Sequence, residues 1–251
     1  MLSELVNLFS ENRNCRKCFN NPQIIKSGEM FAVSDVKGPQ PRWVGENYFN
    51  SKQRICFVLI NPGSGDKTPD NEWSSLPNLS LGKNMTIRTS AWQDLMKTNE
   101  KGMEKWGSWK SLYIDTFGFE DNLDEICFTN WMLCAAKYKN SKGKFENAYN
   151  TKSIETCFSN VSNRVLSNLS PDIIIFSGGF SIDAAVKKPI SLTERRNKSG
   201  NKSREISSFE IKKEVKDCLA KKTRYFYMGH YAYIKSEDYL DAKIIKDQIA
   251  V

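Results

Sequence analysis

The chain has a single histidine among its 251 residues and no long apolar run. Its apolar stretches, such as Ile55 to Ile60, have at most six residues, whereas a membrane-spanning helix needs about 20. The first residues, Leu2 to Glu4, lack the basic start and the apolar core of a secretory signal. These absences predict a cytoplasmic protein that has no membrane partner.

Acidic residues are too few to balance the basic ones. Lys and Arg total 37 whereas Asp and Glu total 29, so the net charge is +8. The segment from Lys187 to Lys222 contains twelve basic and five acidic residues and therefore carries +7 of that excess. We predict that this basic insertion, with Arg195 and Arg196 in its polar centre, attracts DNA phosphates. The alternative is a solvated loop that binds nothing.

Four short runs rich in β-branched and aromatic residues are typical of strands buried on both faces. They are Ile55–Ile60, Ile126–Thr129, Asp172–Ser177 and Arg224–Met228. Helical patterns separate these runs, the clearest with apolar residues at 154, 158, 161, 165 and 169. The alternation predicts an α/β fold of three layers (α/β/α), in which helices cover both faces of a central four-stranded, mainly parallel sheet.

A chain of this length can bury one core, so we expect a single domain over residues 1–251 and a monomer. Residues 20–54 contain several Pro and Gly and show little periodicity, which predicts a long irregular connection. This connection belongs to an N-terminal arm of about residues 1–54. The basic insertion, about residues 187–222, is expected to extend from the same domain.

Polar or glycine-rich segments follow each of the four predicted strands. The four segments are Asn61-Pro62-Gly63, Asn130, Ser177-Gly178-Gly179 and His230. In sheets of parallel strands, functional residues collect on the loops at the carboxyl ends of the strands. One such residue alone indicates an ordinary turn or a structural histidine, whereas four together indicate a site.

Seven cysteines are an odd number for a set of disulfides, and Cys15 and Cys18 are separated by only two residues. Disulfides are rare in a reducing compartment, so a close pair of this kind indicates metal binding or redox chemistry.

Taken in order, these motifs resemble the uracil-DNA glycosylase superfamily, particularly its iron–sulfur branch. That branch has an N-terminal Cys-x-x-Cys, a strand ending in a Pro-Gly motif, a later strand ending in Asn-x-x-x-Cys, and a helix with a fourth Cys. A Pro-Asp-apolar strand and a motif beginning with His follow. The matching residues here are Cys15-x-x-Cys18, Asn130-x-x-x-Cys134, Cys157, Pro171-Asp172 and His230.

Two motifs depart from that branch. The stretch Leu59 to Gly63 is similar to the Gly-Ile-Asn-Pro-Gly of the mismatch-specific branch, and Tyr231 stands where a Pro usually follows the His. The aromatic residue that stacks on the flipped base is not evident, and Trp73, Trp92 and Trp131 are the candidates.

The resemblance implies a [4Fe–4S] cluster that has a structural role. Its ligands would be Cys15, Cys18, Cys134 and Cys157. Four thiolates also suit Zn²⁺, and their spacing alone does not separate the two metals. The other three cysteines, Cys56, Cys127 and Cys218, are expected to be non-ligands.

The resemblance also implies a monofunctional DNA glycosylase that acts on a flipped uracil or modified pyrimidine. Asn61 would position the attacking water and His230 would stabilise the departing base, while Asn130 would read the base edge. The remaining contacts to DNA would come from Pro62, Gly63, Ser177, Gly178, Gly179, Tyr233, Ile234, Arg195 and Arg196, with Tyr233 and Ile234 filling the space that the flipped base leaves.

Two other functions fit the same residues. The first is a glycosylase for hypermodified bases of phage DNA, acting in antiviral defence, since the long loops suit a larger pocket. The second is a catalytically silent nucleic-acid-binding module, since Asn61 stands where an acidic residue would stabilise the reaction better.

Overall fold

The computed structural model describes residues 1–12, 15, 17–18, 39, 41–60, 89–104, 107–134, 137–139, 145–147, 150–188, 210–231 and 236–249. The chain divides into two compact units. The first unit comprises Met1–Arg42, Asn61–Thr98 and Asn130–Leu169, and the second comprises Trp43–Ile60, Asn99–Thr129 and Ser170–Val251.

The strands form one five-stranded sheet and one separate hairpin. In chain order they are β1 (Trp43–Val44), β2 (Ile55–Leu59), β3 (Ile126–Asn130), β4 (Lys137–Lys139), β5 (Phe145–Asn147), β6 (Ile173–Ser177) and β7 (Arg224–Met228). The large sheet has the order β1-β3-β2-β6-β7, and β4 pairs with β5. Strand β6 is parallel to both β2 and β7, whereas β1 is antiparallel to β3. The sheet is therefore mixed.

The α/β class predicted from the sequence is confirmed, and each of the four apolar runs forms a strand of the large sheet. The prediction of four strands is wrong because Trp43–Val44 adds a fifth, within a stretch predicted to be irregular. Trp43 pairs with Phe128, and its indole N–H donates to the Leu123 carbonyl at 2.8 Å. A two-residue strand has no periodicity to detect, and its partner lies about 80 residues away along the chain.

The described residues include eight α-helices. They are α1 (Leu2–Asn12), α2 (Thr89–Glu104), α3 (Gly107–Lys110), α4 (Thr151–Cys157), α5 (Asn163–Leu169), α6 (Gly179–Ala185), α7 (Lys213–Asp217) and α8 (Ser236–Ile249). Wider π-helical turns follow α3 and α4, at Ser111–Asp115 and Phe158–Ser162, and short 3-10 turns cover Tyr48–Asn50 and Leu123–Glu125. No helix in the described ranges is both long and apolar enough to cross a bilayer.

The clearest helical pattern of the sequence becomes a continuous helical segment over residues 151–169, in which a π turn joins α4 to α5. Asn150 caps its start: the Asn150 side chain accepts from the Ser153 N–H at 2.9 Å, and the Ser153 hydroxyl oxygen accepts from the Asn150 N–H at 2.8 Å. This reciprocal pair satisfies two backbone donors and marks where the helix begins.

In the first unit, α1 packs on α5 through an apolar face that includes Leu5 and Phe9. The Phe9 ring contacts Trp92 at a centroid distance of 5.8 Å. Beside this contact, Arg164 lies 3.5 Å from the Glu11 carboxylate, an exposed pair that contributes little to stability. The packing holds α1, and therefore the chain leading to Cys15, against the helical segment that contains Cys157.

In the second unit, aromatic rings fill one face of the large sheet. Phe57 of β2 stacks on Phe128 of β3 at 4.9 Å, and Tyr113 and Phe117 meet Phe57 edge-on at 5.7 and 5.2 Å. Such offset and edge-on pairs add stability beyond the area they bury. The cluster anchors the π turn that carries Tyr113 directly on the sheet.

An ion pair joins the amino ends of β2 and β6. The Arg54 guanidinium donates to both oxygens of Asp172 at 3.0 and 3.2 Å, and its backbone N–H donates to the same carboxylate at 3.1 Å. These bonds from Arg54 hold the pKa of Asp172 below its usual value. The candidate site lies at the opposite, carboxyl ends of the strands.

Candidate active site and cysteine group

The carboxyl ends of β6 and β7 lie side by side, because the two strands are parallel and in register. Ser177, the last residue of β6, pairs with Met228, the last residue of β7. The turn at Gly178 and the residues that follow Met228 therefore lie at the same edge of the sheet. This edge is where open α/β sheets place their ligands.

Gly178 leaves the space that His230 occupies. Its φ of 88° lies in the region that glycine adopts far more readily than other residues. A Cβ at this position would lie 3.1 Å from the Cβ of His230. Any other residue at 178 would therefore strain the backbone and push the histidine away.

Hydrogen bonds and ring contacts hold the chain on either side of His230. The Ser177 hydroxyl donates to the Gly229 carbonyl at 2.9 Å and is itself bonded to the Tyr113 hydroxyl. The Tyr231 ring lies 4.3 Å from the imidazole and 6.3 Å from the Tyr113 ring. The sequence offered no signal for Tyr113, which lies on a helical turn more than 60 residues before Ser177.

Burial keeps the His230 imidazole neutral. Desolvation lowers its pKa from an ordinary value near 6.5 to about 4, because the charged form loses its hydration. At neutral pH the ring is therefore an uncharged imidazole, with one N–H donor and one nitrogen acceptor. The sequence alone left open whether the imidazole or the imidazolium would act.

Asn130 is the last residue of β3, and its side chain is 1% exposed. Neither its amide nitrogen nor its amide oxygen has a hydrogen-bond partner among the residues that the structure describes. A buried polar group left in this state costs about 1–3 kcal/mol. The side chain thus presents an unused donor and an unused acceptor, as a group that awaits a ligand would.

Cys157 lies at the centre of the cysteines predicted to bind metal. Its Sγ accepts a hydrogen bond from the Leu133 N–H at 3.4 Å. The Ser162 hydroxyl, whose proton is donated to the Trp131 carbonyl at 2.5 Å, lies 3.4 Å from the same sulfur. Leu133 directly precedes Cys134, which is buried. The loop that contains Cys134 therefore meets the end of the helix that contains Cys157.

The turn at Cys15 to Cys18 approaches the same helix. Cys18 donates to the Ser153 carbonyl at 3.5 Å, one turn before Cys157, and Lys17 bonds to the Asn160 side chain. The pKa of Cys18 rises to about 12, first because the thiol is buried and then because charge on Cys157 and Cys15 would repel its thiolate. Burial likewise raises the pKa of Cys157.

These contacts place Cys15, Cys18 and Cys157 near one another. Cys134 is close to Cys157 because its neighbour Leu133 donates to the Cys157 sulfur. In the ranges that the structure describes, however, no three Cys, His, Asp or Glu side chains are arranged as ligands of a single metal ion. Of the three other cysteines, Cys56 and Cys127 are buried on the adjacent strands β2 and β3 and hydrogen-bond to each other, and Cys218 donates to the Val215 carbonyl at 3.1 Å.

Several residues predicted for the site lie outside the described residues. They are Asn61, Pro62, Gly63, Arg195, Arg196, Tyr233 and Ile234, together with Trp73. Their predicted roles stay predictions.

The start of the basic insertion is held against residues 210–212 of the same insertion, just after α6. Val186 and Ile211 form an antiparallel bridge, flanked by hydrogen bonds from Lys187 to the Glu210 carbonyl at 3.0 Å and from Lys212 to the Ala185 carbonyl at 2.8 Å. The last part of the insertion forms α7. The described basic residues Lys187 and Lys212 are therefore joined to the end of α6 and to each other's neighbours by backbone hydrogen bonds.

Two of the three tryptophans considered for base stacking are buried. Trp92 packs against Phe9, and Trp131 packs against Phe158 at 5.4 Å. Phe180, in the first turn of α6, is instead 65% exposed. An exposed aromatic beside the Gly178 turn is a better stacking candidate, and sequence reasoning missed it because a phenylalanine at the start of a helix is usually buried.

A scan of models of known protein families finds no match to this chain. A search of curated proteins also finds none.

Proposed function

We propose that the chain is a DNA glycosylase with the three-layer fold of the uracil-DNA glycosylase superfamily. It would hydrolyse the N-glycosidic bond of a flipped uracil or modified pyrimidine and leave an abasic site. The order of the motifs along the chain supports this function. The four strands expected for such a fold, β2, β3, β6 and β7, are neighbours in the sheet, and β1 is added beyond β3 at one edge.

The observation that carries the proposal is the buried amide of Asn130 at the end of β3, which has no hydrogen-bond partner among the described residues. The pairing edge of uracil presents a carbonyl oxygen beside an N–H group. A side-chain amide matches both, because its NH₂ donates and its oxygen accepts. Binding a pyrimidine would therefore satisfy the two groups that the protein leaves unsatisfied.

The chemistry follows from the other strand-end residues. The nucleotide must leave the helical stack before the bond between base and sugar can be reached. As that bond breaks, its electron pair leaves with the base and the sugar gains positive charge. Asn61 would hold the water whose oxygen bonds to the sugar carbon, and the proton released from this water neutralises the base. The neutral His230 would donate its N–H to the base oxygen as negative charge grows there.

The cysteines fit a [4Fe–4S] cluster held by Cys15, Cys18, Cys134 and Cys157. The fit rests on Cys157, whose sulfur accepts a hydrogen bond from the Leu133 N–H; hydrogen bonds to the sulfurs are typical of ligating thiolates. When bound, the cluster would supply a covalent cross-link between the N-terminal arm and the helical segment 151–169. Zn²⁺ is the alternative metal for the same four thiolates.

DNA is the proposed partner, and we predict that the basic insertion supplies much of the affinity. Replacing Arg195, Arg196, Lys198 and Lys202 by neutral residues should flatten the slope of log K against log salt by about 0.9 for each residue that contacts a phosphate. The slope is measured by titrating a labelled duplex at several salt concentrations.

Four exposed lysines elsewhere on the chain make a matched control for this experiment, because their removal changes the net charge equally. They are Lys97, Lys101, Lys152 and Lys243. Neutralising these four should leave the slope nearly unchanged. Equal slopes for the two quadruple variants would mean that the insertion has no specific role in DNA binding.

An abasic-site assay tests the proposed function directly. The purified chain is incubated with duplex and single-stranded oligonucleotides that contain uracil, then with DNA that contains modified pyrimidines. Alkaline cleavage at a single position is expected with at least one of these bases. Cleavage only of hypermodified DNA would favour the defence enzyme, whereas binding without cleavage of any substrate would show a silent module and overturn the proposal.

Asn130→Leu separates function from stability. The leucine has a similar shape but removes two buried, unsatisfied polar atoms, so the melting temperature should stay the same or rise by a few degrees. Base excision should nevertheless fall about 10- to 100-fold, because a two-bond contact to a base is worth about 1–3 kcal/mol.

Thr129→Val is the matched control, since Thr129 is also buried on β3 and also loses a polar atom. This variant should keep its activity. Full activity in Asn130→Leu would remove Asn130 from base recognition.

A further inference from the structure

The hydrogen bonds behind His230 have a defined direction. The Ser177 hydroxyl has one proton, and it is used in the 2.9 Å bond to the Gly229 carbonyl. The bond between Ser177 and Tyr113 must therefore be donated by the Tyr113 hydroxyl. The result is a relay from Tyr113 through Ser177 to the backbone of the residue directly before His230.

The Tyr113 ring is held independently of its hydroxyl. Edge-on contacts join it to Phe57 at 5.7 Å and to Phe128 at 6.0 Å, and Trp109 lies at 5.1 Å. Tyr113 also lies on a π-helical turn, a feature frequent at functional sites. The packed ring gives the hydroxyl a fixed position, and a phenylalanine could keep the ring packing while losing the relay.

Tyr113 acts on both sides of His230. On one side its hydroxyl supports the Gly229 carbonyl through Ser177. On the other side its ring meets the Tyr231 ring at 6.3 Å, and Tyr231 lies against the imidazole. The backbone at Gly178 also packs closely against the His230 Cβ, so the segment 229–231 has little freedom to move.

We propose that Tyr113 is a positioning residue for His230: through Ser177, Gly229 and Tyr231 it fixes the direction in which the imidazole presents its donor. Neither the motifs of the resemblance nor the sequence patterns involve Tyr113. The catalytic meaning of this positioning rests on the proposed function, whereas the positioning itself does not. A donor to a developing charge acts only when it is held in place before the reaction.

The single histidine of the chain makes the test direct, because every imidazole NMR signal belongs to His230. In the unaltered chain the ring should stay neutral down to about pH 5, as expected for a buried imidazole with a pKa of about 4. Tyr113→Phe and Ser177→Ala break the relay at different points. In both variants the measured pKa should rise towards the ordinary value of about 6.5, because water gains access to the loosened ring.

The same variants are tested for base excision under single-turnover conditions. We expect a rate about 10-fold lower for each variant. The affinity for the oligonucleotide should be unchanged in Tyr113→Phe, since Tyr113 is not among the predicted DNA contacts. The double variant should be no slower than the single variants, since both changes remove one relay.

Tyr225→Phe is the matched control. Tyr225 is a buried tyrosine of β7 whose ring stacks on Phe176 at 6.4 Å, on the sheet face opposite to Ser177. Its loss of a hydroxyl should leave the His230 titration and the excision rate unchanged. The melting temperatures of all variants show whether any change reflects unfolding. If Tyr113→Phe is unstable, Ser177→Ala is used to test the relay.

The outcomes distinguish the two proposals. An unchanged His230 titration in folded Tyr113→Phe and Ser177→Ala overturns the positioning role, whatever the enzymatic result. A raised pKa in both variants supports that role even if the unaltered chain excises no base, in which case only the proposed function fails.

Discussion

Replacing His230 by alanine is expected to slow base excision about 10²- to 10³-fold while leaving DNA affinity nearly unchanged. This is the usual effect of removing one preorganised donor to an oxygen that gains charge in the transition state. The donor acts mainly in the transition state, so the loss should occur in the single-turnover rate rather than in binding. Both are measured on the same oligonucleotide.

The pH dependence adds a check on the same residue. His230 has a pKa of about 4, so it is neutral throughout the range from pH 5 to 8. The contribution of His230 to the rate should therefore be constant over that range. A rate that tracks a titration near pH 6.5 and loses this dependence in His230→Ala would contradict a neutral donor.

Asn61 provides the companion variants. Asn61→Ala should lower the rate by a factor similar to that of His230→Ala, because the attacking water would no longer be held. Asn61→Asp is expected to raise the rate on uracil, since a carboxylate also stabilises the positive charge on the sugar. Unchanged single-turnover rates in both alanine variants would remove these residues from the chemistry and favour a silent binding module.

Cys157→Ser is expected to abolish iron binding. Anaerobically purified protein should be brown and contain about four irons per chain, as one [4Fe–4S] cluster requires. The Cys157 sulfur accepts a hydrogen bond from the Leu133 N–H and lies between the Cys15–Cys18 turn and the loop that contains Cys134. Its loss should remove the metal and lower the melting temperature, because the cross-link between the arm and the helix is lost.

Cys218→Ser is the matched control for this measurement. Its thiol donates only to the Val215 carbonyl, a bond that a serine hydroxyl retains, so iron content should not change. One zinc and no iron in the unaltered protein would contradict the iron assignment and retain the four ligands. Iron that persists fully in Cys157→Ser would contradict the ligand set.

Local patterns were sufficient to identify four of the five strands of the large sheet and its clearest helical segment. The four apolar runs became β2, β3, β6 and β7 because strands buried on both faces need continuous apolar residues. The five-residue apolar stripe became the segment 151–169 because its spacing matches one helix face. The π turns were not predictable, since a single wide turn barely shifts that spacing.

Long-range contacts decided the rest. Strand β1 exists only because Trp43 and Val44 find partners on β3. Phe180 became a candidate for base stacking only because α6 leaves it exposed. Trp92 and Trp131 are poor candidates for the same role only because they are buried.

The sequence by itself determined the α/β class, the placing of His230 and Asn130 at strand ends, and the concentration of positive charge in one insertion. Only the tertiary structure decided that the Asn130 amide has no partner in the described part of the chain, that burial neutralises His230, and that Tyr113 supports His230 through Ser177. The physical reason is one of range. Residue type and spacing act over a few neighbours along the chain, whereas desolvation and hydrogen bonding depend on side chains brought together from distant segments.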